Sequence, residues 1–299
     1  MGGVSNRGGL ARGIATMIGS GACNQVGAAV GAQAFATIGP AGVVAIRQFV
    51  AAAVLLPVAR PRLRSFTWAQ WWPALLLGVV FAVMNLSLYT AVDRIGLGLA
   101  VTLEFLGPLG VALAGSRTGR DLLCALGACA GVYVLVLPGP SSDYLGIGLG
   151  LLAAACWAAY ILLNRTAGAR LPGLQGPATA TAVSALIYLP FAAILFTRGW
   201  AGVPHAVAAG LLCSVIPYAA DLVVLRHVPA RFFGVFMSIH PVLAALAGLA
   251  ILGQALHVHQ WLGILVVVSA NAVATASTAR APVRCEPRTP TAVLARTPA

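Results

Sequence analysis

Residues 96–114 read Gly-Leu-Gly-Leu-Ala-Val-Thr-Leu-Glu-Phe-Leu-Gly-Pro-Leu-Gly-Val-Ala-Leu-Ala, 19 residues with a single charge, Glu104. As a helix at 1.5 Å per residue the stretch is roughly 28 Å long, close to the hydrocarbon thickness of a bilayer. Similar apolar runs lie on either side of it, at 14–36, 41–59, 72–91, 122–138, 145–163, 177–197, 205–225, 232–252 and 260–278. The 299 residues are 60% hydrophobic and only 8% charged. A soluble domain carries about 25% charged residues, and a chain this poor in charge could not cover its own surface in water. The expected fold is therefore an all-α integral membrane protein of ten transmembrane helices.

The net charge of +12 does not point to nucleic acid. All 18 basic residues are arginine, so chemistry that needs a lysine, such as a P-loop or a Schiff base, is excluded. The arginines lie between the apolar runs. With the N-terminus inside, 15 of them fall in cytoplasmic segments, while Arg94 and Arg198 fall outside and Arg47 lies within a run. This asymmetry places both termini in the cytoplasm. Arg7 and Arg12, followed by an apolar stretch and Ala32-Gln33-Ala34, look like a signal peptide, but the repeat described next argues against cleavage.

The two halves match at an offset of 133 residues: Cys23 falls on Cys156, Pro108 on Pro241, and Ala112-Leu113-Ala114-Gly115 on Ala245-Leu246-Ala247-Gly248. Five helices per half force the second half to insert upside down, and inverted repeats are a mark of transporters with a central site. The expected organisation is a disordered segment over 1–13, a first five-helix repeat over 14–138, a second over 145–279, and a disordered Arg/Pro-rich cytoplasmic tail over 280–299. Pro108 and Pro241 are expected to break paired helices and free backbone carbonyls within the membrane.

A charge at the bilayer centre costs about 2.5–3.5 kcal/mol on insertion scales, so each polar residue in a run needs a reason. Glu104 can take a substrate amine or a proton, or can bond a neighbouring helix. Arg47 can hold a carboxylate, pair with Glu104 or snorkel outward. His240, beside Pro241, is either a proton or substrate group or a packing residue. Asp221 reads as an interfacial partner of Arg226. Asn24, Gln25, Asn85, Tyr89, Trp157, Tyr160, Tyr218 and Asn271 complete the candidates. The six cysteines contain no CxxC pair and read as small reduced side chains. No Walker motif or metal-ligand cluster occurs. With six acidic residues in all, paired-carboxylate catalysis is not expected. No enzyme, no cofactor and no metal are therefore expected.

Several of these stretches together resemble the EamA family of the drug/metabolite transporter superfamily, and within it the threonine and homoserine exporters of the bacterial inner membrane. They are Ile38 through Arg47; Met84-Asn85 through Leu88-Tyr89; Gly96 through Phe105 with Gly107-Pro108-Leu109; Ala155 through Leu162; and Phe233 through Ser238 with Pro241 and Leu252-Gly253. The Leu103-Glu104-Phe105-x-Gly107-Pro108-Leu109 string is the most specific to the exporter group. The resemblance implies a secondary exporter of small metabolites, amino acids foremost. On that reading Glu104, Arg47, Asn85, Tyr89, Trp157 and Tyr160 bind substrate, while His240 and Glu104 carry protons. Its partners are a small-molecule solute and the bilayer, with a homodimer allowed and no nucleic acid. The chain departs from the family pattern twice, with His240 and Gln254 where glutamates are usual. Efflux of drug-like or nucleobase solutes, and a lipid-handling role without transport, are the alternative readings.

Overall fold

The computed structural model describes residues 4–114, 119–137, 139, 142–191, 199–217 and 237–278, and among them every regular element is helical. In chain order these are α1 (Val4–Ala32), α2 (Phe35–Ala59), α3 (Trp68–Ile95), α4 (Leu97–Glu104), α5 (Leu106–Ala114), α6 (Gly119–Val136), α7 (Tyr144–Gly168), α8 (Gln175–Ile187), α9 (Val203–Gly210), α10 (His240–Leu252) and α11 (Val258–Thr278). Among the described residues, four stretches are long and apolar enough to cross a membrane: Phe35–Ala59, Trp68–Ile95, Leu97–Ala114 and Tyr144–Gly168. Shorter apolar helices cover Leu122–Val136, Val203–Val215, His240–Leu252 and Val258–Ala274. Large apolar side chains such as Leu123, Leu126, Leu162, Leu186 and Leu265 stand exposed along these helices, which suits a lipid solvent.

The helix boundaries follow local chemistry. Gly39 holds φ 72° within α2, a conformation open to glycine, and Pro40 then starts the straight part, where its missing N–H has no helical partner to lose. Gly96 (φ 85°) makes the corner between α3 and α4. Thr67 and Gln70 form a capping box at the start of α3, satisfying amide groups that the first turn leaves open. The helix α1 runs from Val4. Once the apolar part of α1 is docked, adding N-terminal turns is propagation rather than nucleation, and no proline lies in that stretch to stop it.

Both prolines stand three residues beyond a break. The span 96–114 is interrupted at Phe105, between α4 and α5. In the described part of the run over 232–252, a turn at Ser238 and Ile239 precedes α10. A proline cannot donate to the carbonyl four residues back and crowds it; those carbonyls belong to Glu104 and Met237. Residues 231–236, the tail 280–299, Tyr218 and Asp221 lie outside the described residues.

α3 lies along α7 and α8, α6 along α11, and α1 against α9 and α10; α2 packs on α8 and α9, and α4 is held between α7 and α10. Small residues set these contacts. A Cβ on Gly27 would stand 2.6 Å from the Leu212 Cβ, and one on Gly31 2.9 Å from the Ala209 Cβ. Gly131 and Gly263 meet across the α6–α11 crossing in the same manner. In lipid, where apolar burial alone does not join helices, such close backbone approach is the main attraction.

Candidate functional site

Glu104 ends α4, at the break, and is 6% exposed. Among the described residues its carboxylate has no ion pair and no hydrogen bond. It lies in the electrostatic field of Arg47 and is itself felt by the Cys156 thiol on α7. A carboxylate in this position is open to a cation brought from outside the protein.

Arg47 projects from α2 over the face of Tyr89 on α3, its guanidinium carbon 5.2 Å from the ring centroid. Its Nε is buried without a hydrogen-bond partner. Ring attraction compensates part of the charge and leaves N–H donors for another acceptor. Tyr89 is 1% exposed; Phe35 meets its ring edge-on at 5.9 Å, and the Cys213 Sγ lies 3.9 Å from its hydroxyl. Cys213 sits in a π-helical turn, Leu211–Val215, directly after α9, and its thiol donates to the Asn24 carbonyl at 3.2 Å. π turns of this kind often mark functional positions.

His240 forms a second group. The Gln25 Nε2 lies 3.3 Å from His240 Nδ1. The Phe105 ring stands 5.6 Å from the imidazole and meets Trp157 edge-on at 4.7 Å. Phe105 follows Glu104 directly, at the break between α4 and α5. Gly21 makes room for the imidazole, since a Cβ there would stand 2.9 Å from its Nε2.

The remaining candidates lie farther along the same helices. Tyr160 stacks on Phe81 at 6.0 Å. Asn85 is buried, and its amide donates to the Phe81 carbonyl one turn back at 2.7 Å, so that donor is already engaged. Pro108 and Pro241 lie just beyond the two breaks. Sequence reading does not single out Gln48, the residue after Arg47, whose side-chain oxygen is buried without a partner, nor Cys213 beside Tyr89. The only signal for Gln48 is a second polar residue in an otherwise apolar run. No group of three or more His, Cys, Asp or Glu is gathered for a metal among the described residues.

At the loop end of α7, Asp143 accepts the Gly146 N–H at 2.8 Å and pairs with Arg94 at 3.0 Å. The Gly146 bond first, and then Arg94, hold its carboxyl below the usual aspartate range.

Residues 144–276 match the EamA-like transporter family. The chain is 34% identical to the threonine/homoserine exporter RhtA of Escherichia coli (strain K12) over 256 residues, 83% of this chain and 85% of the relative. It is 33% identical to the exporter of the same name from Salmonella typhimurium (strain SL1344) over 267 residues, 86% of this chain and 89% of the relative. A protein of known crystal structure shares the fold with a TM-score of 0.55 at 19% identity, over 89% of this chain and 98% of its own. Helices of membrane length and relatedness over most of the chain lead to one conclusion: the chain belongs to the EamA-like transporter family and is a multi-pass membrane transporter, not an enzyme.

Proposed function

We propose that the protein is a secondary exporter of small zwitterions, amino acids of the threonine and homoserine kind, in the inner membrane. The observation that carries this is a basic side chain on α2 and an acidic one on α4 that form no ion pair with one another. Glu104 receives the substrate ammonium and Arg47, steadied on Tyr89, orients the carboxylate. Asn85, Trp157 and Tyr160 line the remainder of the path, and His240 exchanges a proton. The names of the relatives favour amino acids over the drug-like solutes that an apolar, aromatic wall would also accept.

The proposed architecture is ten helices in two inverted repeats, 14–138 and 145–279, with both termini cytoplasmic. Packing supports it. Under the 133-residue offset, α2 answers to α8 and α6 to α11, and both pairs are in contact. The contacts of α3 with α7 and α8 have their counterparts in those of α9 with α1 and α2, and α5 on α7 has its counterpart in α10 on α1. A pattern unchanged when the halves are exchanged is the one a two-fold pseudo-axis produces, and alternating access follows as a rocking of one half on the other.

The test is ligand-linked stability. A ligand bound only by the folded state raises its stability by about 2.7 kcal/mol at a hundredfold excess over Kd. Threonine or homoserine should raise the melting temperature of the purified protein in detergent, with alanine amide and acetate inactive because each lacks one of the two charges. Equal response to the single-charge controls would refute the zwitterion site.

A further inference from the structure

The turn after α10 reaches back to the start of α4. Gly253 takes φ 68°, and the Gln254 N–H donates to the Gly248 carbonyl at 3.0 Å, so the chain doubles over the last turn of α10. This carries the Gln254 side chain onto the first turn of α4, where its Oε1 accepts the Leu97 N–H at 2.9 Å. The first N–H groups of a helix have no partner within it, and Leu97 is fully buried, so water is a poor substitute. Glycines form the seat: a Cβ on Gly248 would stand 2.9 Å from that oxygen, and one on Gly96 3.2 Å. Below the seat, a Cβ on Gly98 would lie 3.1 Å from the Ala245 Cα, so α4 and α10 touch backbone to backbone. One hydrogen bond thus ties two helices from distant parts of the chain at one end of the bundle, and α4 carries Glu104 at its other end.

We infer that Gln254 is a latch: while its amide caps α4, the Gly96 end of the bundle is closed over Glu104, and each transport cycle must break that bond. The inference rests on the alternating-access reading above. A carboxylate at the positive end of a helix would hold the Leu97 N–H more strongly than the amide does. Gln254 is a positioning residue, with no contact to solute required.

The test uses Cys156 on α7, the helix packed against α4, as the sole thiol, with the other five cysteines replaced by serine. A membrane-impermeant maleimide is added from the Gly96 side of intact cells, and labelling is timed without any solute. Gln254→Leu removes the acceptor, and Gly248→Ala displaces the side chain from its seat; both should label at least tenfold faster than the parent. Gln254→Glu keeps an acceptor and should label no faster than the parent. Its maximal transport rate should fall while its KM is unchanged, a split that a merely structural role does not produce. Parent-like labelling in both opening variants, in protein that remains monodisperse, would overturn the latch. So would Gln254→Glu labelling as fast as Gln254→Leu. Threonine is added only in a separate arm: its failure to change the labelling of the parent bears on the substrate reading and leaves the comparison of variants intact.

Discussion

The Arg47 guanidinium carbon rests 5.2 Å from the centroid of the Tyr89 ring, with its Nε buried and unbonded. The ring therefore holds the cation without saturating it. A cation–π contact contributes about 0.5–2 kcal/mol depending on desolvation. Tyr89→Phe keeps the face and should leave the threonine KM within about threefold of wild type. Tyr89→Leu removes it and should weaken binding by about tenfold. Equal KM values for the two variants would show that the ring does not steady the arginine.

Glu104 offers the buried carboxylate that no described group of the protein neutralises. A hydrogen bond to a charged group contributes about 1.5–3 kcal/mol, so Glu104→Gln should lower export by at least about tenfold. The protein should still reach the membrane in normal amount, because glutamine fills nearly the same volume and is no more costly to bury. Export and membrane abundance measured on the same cells separate loss of function from loss of folding.

Asp143 joins the start of α7 to Arg94 at the end of α3. Its carboxyl is held below the ordinary value by the Gly146 N–H and by Arg94. A group lowered in the folded state contributes stability above its unfolded value, about 3.9, and that contribution is lost as pH falls through the folded value. Asp143→Ala should therefore melt below wild type at pH 7, and the gap should narrow as the pH drops below about 4. High salt at pH 7 should narrow it in part, by screening the exposed pair.

Gly31 lets α1 approach both α9 and α2, where a Cβ would stand 2.9 Å from the Ala209 Cβ and 3.2 Å from the Val43 Cγ1. Overpacking a tight contact costs about 1–3 kcal/mol. Gly31→Val should lower thermal stability in detergent by that order, whereas Gly148→Ala, with no neighbour within 4 Å of the new Cβ, should not. A Gly31→Val protein as stable as wild type would show that this contact yields freely.

Much of the architecture is legible because lipid imposes one requirement on every span, an apolar run of sufficient length. The breaks at Phe105 and before His240 follow from Pro108 and Pro241 by the same backbone chemistry. Other features depend on neighbours distant in sequence. Gln254 reads as a polar loop residue until the fold sets it against Leu97, 157 positions earlier. Asn85 reads as a polar group in an apolar run, and the fold shows one of its amide N–H groups bonded to the Phe81 carbonyl one turn back. An apolar run alone does not reveal how far a helix continues past it, which is why α1 begins at Val4.

The most direct test of amino-acid export is radiolabelled threonine and homoserine flux in proteoliposomes, with and without an imposed pH gradient, against empty liposomes. Flux that requires the protein and rises with the gradient, with the rise lost in His240→Gln and the flux itself lost in Glu104→Gln, is the predicted result. Flux no greater than in empty liposomes, from folded protein, would contradict an amino-acid substrate.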